Sequence, residues 1–274
     1  MIIDSHQHFW QISRGDYGWM TDEVAAIRRD ILPADLHSLA QAAGVTGTVL
    51  VQAAPTLAET LFLLDLAKRT PLVRAVVGWI DLTTDVEAQL SSIAHPALRG
   101  IRPMLQDIDD VTWILQDAVI DGLRKVAAAG LRMDALITPR HLPVIDELAR
   151  RLPLLPIVVD HCAKPAFAGA DPGEDWRRGM TALAAHPQVF CKLSGLVSEF
   201  GPGWSTSHLQ PVFDHVLAVF GAERLMWGSD WPVLEIVGAY PEWLRTAQDL
   251  TAALTAADRD RIFGLSAARF YGLT

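Results

Sequence analysis

The stretch Ile2-Ile3-Asp4-Ser5-His6-Gln7-His8-Phe9-Trp10 decides between the two α/β architectures open to this sequence. It begins as a short apolar strand and continues without a glycine. An open doubly wound sheet that binds a dinucleotide carries a glycine-rich turn after its first strand, where the backbone approaches the phosphates. The opening stretch therefore argues against that fold and favours a closed barrel.

Seven further apolar runs follow the opening strand, with helical patterns between them. Most of these runs are continuous rather than alternating, which is typical of parallel strands covered on both faces. The predicted strands are 2–6, 48–52, 75–80, 99–102, 131–137, 157–161, 189–193 and 225–228. The predicted helices are 33–43, 57–69, 86–94, 118–129, 141–151, 175–185, 209–220, 241–253 and 256–263, the last of which leads into residues 267–271.

The pattern of strands and helices agrees with the length of the chain. Eight strand–helix pairs close a (β/α)8 barrel, which typically needs about 250 residues. The chain has 274 residues, of which 50% are hydrophobic, and no low-complexity linker divides it. We therefore predict a (β/α)8 TIM barrel in a single domain over residues 1–274.

Charge and cysteine content limit the partners and the compartment. A net charge of −9 repels phosphate backbones, so we expect no nucleic acid partner. No apolar run reaches the roughly 18 residues of a membrane span, and we expect no signal peptide. The two cysteines form no disulfide framework, which predicts reduced thiols and a cytoplasmic protein. The oligomeric state stays open, because an apolar helix face can pack on the barrel or on a partner.

Two histidines, His6 and His8, stand at the end of the first predicted strand. Side chains two residues apart in a strand point to the same face, and barrel active sites lie at the carboxyl ends of the strands. Imidazole is a good ligand for Zn²⁺ and its neighbours in the first transition row. The pair alone is also compatible with two polar residues at a strand end, because a catalytic site typically needs about three protein ligands.

Two other strand ends supply candidates for the missing ligands. His161 follows the apolar run 157–159, and Asp230 follows the run 225–229. Asp230 could bind a metal, accept a proton from water, or both. Each residue by itself could be a helix cap or a loop contact, but the four groups together predict one metal centre in the barrel mouth.

Three polar residues at further strand ends are candidates for substrate contact. Arg102 could offer a planar pair of donors to a carbonyl or carboxylate, or pair with an acidic residue of a loop. Lys192 could polarise a carbonyl or neutralise a buried carboxylate such as Asp160 or Asp230. Gln52 could bond to a substrate hydroxyl or satisfy backbone groups.

Four blocks of this sequence resemble the amidohydrolase superfamily. They are residues 3–10 (IDSHQHFW), 158–165 (VVDHCAKP), 191–196 (CKLSGL) and 227–232 (WGSDWP). More narrowly, they resemble its sugar-lactonase branch, which includes L-fuconolactonases and L-rhamnonolactonases. The resemblance continues to residues 267–273 (AARFYGL) and so covers nearly the whole chain.

The resemblance implies a distorted barrel and assigns roles to the four candidates. His6 and His8 would be metal ligands on the first strand, and Asp230 would be the carboxylate of the eighth strand. His161 matches the family histidine on a later strand, and we expect it to act with Asp230 in catalysis. The ion would be one divalent metal, Zn or Mn.

Two departures from the family pattern limit the metal content. Arg102 stands near strand 4, where binuclear relatives carry a bridging lysine or glutamate, and a permanent cation cannot bridge two metals. Lys192 stands where many relatives place another histidine. We therefore expect at most one ion, weakly held or dispensable.

The activity that the resemblance implies is the opening of a sugar lactone, such as L-fuconolactone, to the aldonic acid by an activated water. Trp10 and Trp231 adjoin the site motifs and would offer aromatic faces to the sugar, with packing as the alternative. Two other functions stay open. A metal-dependent decarboxylase would use Arg102 to hold a carboxylate, and a non-catalytic sugar-acid binding protein would keep a degenerate site.

Overall fold

The strands pair in chain order, each parallel to the one before it, in the computed structural model, which describes residues 1–273. The ring closes beyond the last strand, where the backbone N–H of Asp230 donates to the carbonyl of His6 at 2.8 Å. The predicted (β/α)8 TIM barrel is confirmed, whereas the extent of the single domain, residues 1–274, stays a prediction. Residues 1–273 form eight strands: β1 Ile2–Gln7, β2 Val45–Val51, β3 Val73–Gly78, β4 Leu98–Ile101, β5 Arg132–Ala135, β6 Ile157–Val159, β7 Val189–Leu193 and β8 Leu225–Trp227.

Helices follow the strands and cover the outside of the barrel. They are α1 Pro33–Ala42, α2 Leu57–Arg69, α3 Val86–Ser92, α4 Asp117–Ala128, α5 Leu142–Arg151, α6 Glu174–Ala184, α7 Leu196–Phe200, α8 Thr206–Phe220, α9 Tyr240–Leu250, α10 Ala256–Asp260 and α11 Ser266–Tyr271. The sequence did not predict α7, because five residues are too few to show a helical repeat. None of the helices formed by residues 1–273 has the length and apolar character that crossing a bilayer requires.

Several predicted strands extend too far at their carboxyl ends. β4 ends at Ile101 and β6 at Val159, so Arg102 and His161 belong to the segments that follow. The apolar runs before Arg102 and His161 predict longer strands, but each strand ends before its polar residue, where the chain turns into the barrel mouth. The error shifts the boundaries and leaves these side chains at the end of the barrel where a site is expected.

The barrel interior is filled from its amino-terminal end. Val49 and Val51 of β2 both point into this interior and are fully buried, because residues two apart in a strand share a face. Helix α11 closes this end, and the carbonyl of Phe270 accepts a hydrogen bond at 2.6 Å from Arg132, the first residue of β5. The polar site therefore lies at the opposite, carboxyl end of the strands.

Candidate metal and active site

Three histidines and one aspartate converge at the open end of the barrel. The Nε2 atoms of His6 and His8 lie 3.2 Å apart. The Oδ1 atom of Asp230 lies 3.4 Å from Nε2 of His8, 3.7 Å from Nε2 of His6 and 3.8 Å from Nε2 of His161. All four side chains are buried. The four candidates from distant parts of the sequence therefore meet at one point.

Two strained turns bring His161 and Asp230 to this cluster. His161 has a φ of 53° and Asp230 a φ of 58°, in the left-handed region that non-glycine residues rarely adopt. After β6 the left-handed conformation continues through Lys164. Conformations of this kind cost free energy and persist where the surrounding structure holds them in place.

Hydrogen bonds at the far ring nitrogens orient two of the imidazoles. Nδ1 of His8 lies 2.8 Å from the carbonyl oxygen of Val51, which only accepts, so Nδ1 carries the proton. Nδ1 of His161 lies 2.9 Å from the hydroxyl of Ser194. Both contacts leave Nε2 directed at the cluster, which is the arrangement of metal-binding histidines. Sequence reasoning missed Ser194, although it stands in one of the family-like blocks.

The protonation states of His6, His161 and Asp230 suit a cation. Burial and the nearby ammonium of Lys192 lower the pKa of His6 well below its usual value, and burial also lowers the pKa of His161. Burial alone would raise the pKa of Asp230, but the adjoining histidines, His161 foremost, hold that pKa below its usual range. Neutral imidazoles and an ionised carboxylate have lone pairs to donate, which metal binding requires.

The donor set fits one divalent transition-metal ion. Ligands of a tetrahedral Zn²⁺ lie about 2.0–2.2 Å from the ion, which places them roughly 3.3–3.6 Å from one another. The separations of 3.2 Å between His6 and His8 and of 3.4–3.8 Å from Asp230 to each histidine are close to these values. Among the described residues, the donor atoms of His6, His161 and Asp230 all lie within 4.8 Å of one another. Three imidazole nitrogens and a carboxylate oxygen are also a chemically suitable set of ligands.

Lys192 lies beneath His6, fully buried inside the barrel. Its Nζ atom is 2.5 Å from Asp134, 3.0 Å from Asp160 and 3.1 Å from Nδ1 of His6. Removing an ammonium from water is costly unless close partners offset the lost hydration, as these do. Lys192 is not among the described residues that line the site cavity, so the geometry supports neutralisation of Asp160 rather than contact with a substrate. Sequence reasoning missed Asp134, because no spacing links it to Lys192.

Arg102 lines the cavity and forms hydrogen bonds with Gln52. One guanidinium nitrogen of Arg102 lies 3.2 Å from Asp160, and another donates to the carbonyl and to the side-chain oxygen of Gln52. The amide nitrogen of Gln52 donates to the carbonyl of Arg102 at 2.9 Å. Gln52 does not line the cavity within the described chain, so its geometry is that of a support for Arg102 and not that of a ligand contact.

The histidine–aspartate cluster opens into a cavity of about 270 Å³. The cavity combines apolar and charged side chains from the segments that follow several strands. Its lining residues are His8, Trp10, Trp19, Ala53, Arg102, Met104, Gln106, Asp107, Leu136, His161, Lys164, Glu199, Asp230 and Val233.

Trp19 and Trp10 are the tryptophans that line this cavity. Trp19 is 39% exposed, and its Nε1 donates to the carbonyl of Ala53 at 2.9 Å. Trp231 is buried outside the lining and donates its Nε1 to Glu235 at 2.6 Å. Trp10 is fully buried in the cavity wall, with its Nε1 bonded to the carbonyl of Arg29, and its contact with a substrate stays a prediction. Trp231 packs outside the lining, because adjacency to a site residue in sequence does not set a side chain's direction.

Comparison with known proteins shows close relatives along the whole chain. The model of the amidohydrolase family matches residues 3–273. An L-fucono-1,5-lactonase of Burkholderia ambifaria is 46% identical over 98% of this chain and 94% of its own length, and one of Burkholderia multivorans is 38% identical over 99% and 96%. The crystal structure of an amidohydrolase from Burkholderia multivorans with bound Zn has a TM-score of 0.94 at 36% identity, with 100% of both chains covered.

The fold and the site together define a barrel hydrolase with a histidine–aspartate centre in the mouth of a (β/α)8 barrel. The match to the family model leaves only a few terminal residues uncovered. This chain belongs to the amidohydrolase family.

Proposed function

We propose that this enzyme opens a sugar lactone, such as L-fucono-1,5-lactone, to the aldonic acid by adding water. The observation that carries the proposal is the carboxylate of Asp230, which lines the cavity and lies 3.4–3.8 Å from the Nε2 atoms of three histidines. Two relatives named L-fucono-1,5-lactonase support this substrate class. A volume of about 270 Å³ corresponds to about nine water molecules of roughly 30 Å³ each, which suits one sugar ring.

Asp230 is the general base of the proposed reaction. It accepts a proton from a water molecule while the water oxygen attacks the carbonyl carbon of the lactone. The bond from this carbon to the ring oxygen then breaks, and Asp230 returns the proton to the departing ring oxygen. The lowered pKa keeps the carboxylate ionised at neutral pH, and Nε2 of His8 lies 3.4 Å from its Oδ1 atom.

Arg102 stabilises the negative charge that develops on the carbonyl oxygen during the attack. A single well-placed donor contributes roughly 3 kcal/mol to such stabilisation. The contacts of its guanidinium with Asp160 and Gln52 fix it before substrate arrives. The group therefore needs little rearrangement in the transition state.

His6, His8, His161 and Asp230 hold one divalent ion in this proposal. We propose Zn²⁺, supported by the zinc-bound amidohydrolase structure, with Mn²⁺ as the alternative. When bound, the ion supplies Lewis acidity, which polarises a carbonyl and lowers the pKa of water. Arg102 places a permanent positive charge beside this centre, so the proposed ion is weakly held or dispensable.

We propose the cytoplasm as the compartment of this protein, because both of its cysteines are free thiols. Cys162 and Cys191 are free and buried, and their sulfur atoms lie 3.8 Å apart. Disulfides persist in oxidising compartments, whereas cytosolic thiols are kept reduced. Two free thiols this close together suit a reducing environment.

A screen of aldonolactones with a pH indicator, with and without a chelator, tests the proposal. We expect acid release from at least one sugar lactone, and a lower rate after chelation if the ion contributes. No turnover of any lactone would overturn the proposed reaction. Release of carbon dioxide from a small carboxylic acid would favour the decarboxylase, and tight binding of a lactone analogue without turnover would favour a non-catalytic sugar-acid binding protein.

A further inference from the structure

Lys164 and Glu199 form an ion pair on the cavity wall, beside His161. Nζ of Lys164 lies 2.7 Å from Oε1 of Glu199, and the side chains are 21% and 26% exposed. Neither residue belongs to the metal cluster or takes part in the proton transfer proposed above. We propose that this pair binds two adjacent hydroxyl groups of the lactone ring and selects the configuration of the sugar. This inference rests on the proposed function.

The backbone holds both partners at defined positions relative to the site. The N–H of Lys164 donates to the carbonyl of His161 at 2.9 Å in the left-handed turn after β6. The N–H of Glu199 donates to the carbonyl of Gly195 at 3.0 Å in helix α7. The pair is therefore fixed to the same turns that position a cluster histidine, and a hydroxyl bound by it has a defined distance from the reacting carbon.

The chemistry of the pair matches neighbouring hydroxyl groups. A hydroxyl both donates and accepts, whereas an ammonium only donates and a carboxylate only accepts. Lys164 can donate to one hydroxyl oxygen while Glu199 accepts the proton of the next hydroxyl. Both hydrogen bonds involve a charged partner, and such bonds are roughly twice as strong as neutral ones.

Tryptophan rings lie on the side of the cavity away from this pair, which makes the position of each hydroxyl matter. Trp19 is bonded to Ala53, which follows β2, four strands around the barrel from β6 and Lys164. Trp10 lies on the same wall as Trp19, and their ring centroids are 5.7 Å apart. An epimer that turns a hydroxyl towards these rings leaves it without a partner, and an unpaired polar group in such a site is strongly disfavoured.

The test compares the preference for a hydroxylated substrate in three variants. Lys164→Met and Glu199→Gln remove one charge each with little change in size. Lys125→Met is the matched control, because Lys125 forms an ion pair with Asp121 on the outer surface of α4. The readout is the ratio of kcat/KM for the best sugar lactone to kcat/KM for δ-valerolactone, which has the same ring without hydroxyls.

We expect the ratio to fall at least about tenfold in Lys164→Met and in Glu199→Gln, because each loses a hydrogen bond to a charged group. The control should keep the wild-type ratio. We also expect both cavity variants to discriminate less between the sugar lactone and its ring epimers. An unchanged ratio overturns the inference, and so does an equal loss for both lactones, which an ion pair with a merely structural role would produce.

A binding measurement separates this inference from the proposed reaction. The lactam of the same configuration resists hydrolysis and is titrated into each protein by calorimetry, with δ-valerolactam for comparison. If the wild type opens no lactone but binds the hydroxylated lactam more tightly than either cavity variant, the reaction is wrong and the hydroxyl site stands. Lactone turnover with equal lactam binding in all proteins overturns the hydroxyl site alone, and equal binding without turnover overturns both.

Discussion

A guanidinium nitrogen of Arg102 lies 3.4 Å from Nε2 of His6, the nitrogen directed at the histidine–aspartate cluster. The guanidinium keeps its charge throughout the physiological pH range. Two unit charges about 4 Å apart interact by roughly 4 kcal/mol at the effective dielectric of a protein surface. Arg102 therefore opposes any cation that His6 binds and leaves no room for a second one.

Replacing Arg102 by methionine should strengthen zinc binding and weaken catalysis. Removal of the neighbouring positive charge lowers the repulsion of the ion, so we expect the Kd for Zn²⁺ to fall at least about tenfold. The same change removes the proposed oxyanion donor and should lower kcat. Competition with a chromogenic chelator measures the Kd, and Arg69→Met, an exposed arginine paired with Asp65, is the control. Unchanged zinc affinity would contradict the repulsion.

Asp230→Asn should abolish most turnover while substrate-like binding survives. Loss of the proposed general base should lower kcat by about 10²–10⁴. The amide keeps the size of the side chain, so binding of a lactam analogue should change little. Asp107→Asn is the control, because Asp107 lines the cavity but is exposed and lies outside the cluster. If Asp230→Asn kept more than about a tenth of wild-type kcat, another group would have to be the base.

Gly195→Ala should weaken metal binding through His161. The new methyl group would lie 2.6 Å from Cγ of His161, so the ring must move and its bond to Ser194 must lengthen. Loss of such an orienting contact typically weakens metal binding about 10–100-fold. Gly130→Ala imposes a similar left-handed strain, with a φ of +73° against +67°, but meets no described atom within 4 Å. Equal zinc affinities of the two variants, measured by calorimetry, would refute the steric explanation.

Glu59 should make the protein less stable as the pH rises. Burial raises the pKa of Glu59 from 4.5 to about 7, although the N–H groups of Ala53 and Ala54 offset part of this effect. Because its pKa is raised, Glu59 binds a proton more tightly in the folded protein than in the unfolded chain. Its contribution to stability is therefore fully present below about pH 4.5 and is lost as the pH rises through about 7. The full difference corresponds to about 3 kcal/mol.

Glu59→Gln removes this titration and provides the measurement. The free energy of unfolding in urea at pH 5 and at pH 8 should differ less in Glu59→Gln than in the wild type, by up to about 3 kcal/mol. Other titrating groups contribute to both proteins and cancel in the comparison. Glu87→Gln, an exposed control on α3, should behave like the wild type. An identical pH dependence in Glu59→Gln and the wild type would show that Glu59 is not responsible.

The sequence alone predicted the barrel and the convergence of four side chains at its mouth, whereas their binding of a metal stays a prediction. Both depend on patterns that are local in the chain, namely apolar strand runs and the polar residue that ends each run. Because parallel strands bring their carboxyl ends together, knowing the strand ends is enough to expect His6, His8, His161 and Asp230 in one place.

Only the tertiary structure decided what the other polar and aromatic residues contact. Lys192 and His6 are 186 positions apart, and no local pattern predicts that Lys192 lies beneath His6 rather than in the cavity. Trp19 lines the cavity and Trp231 does not, because loop packing sets the direction of each ring. Such contacts depend on which segments the closed barrel places side by side, and that information is absent from any single segment of the chain.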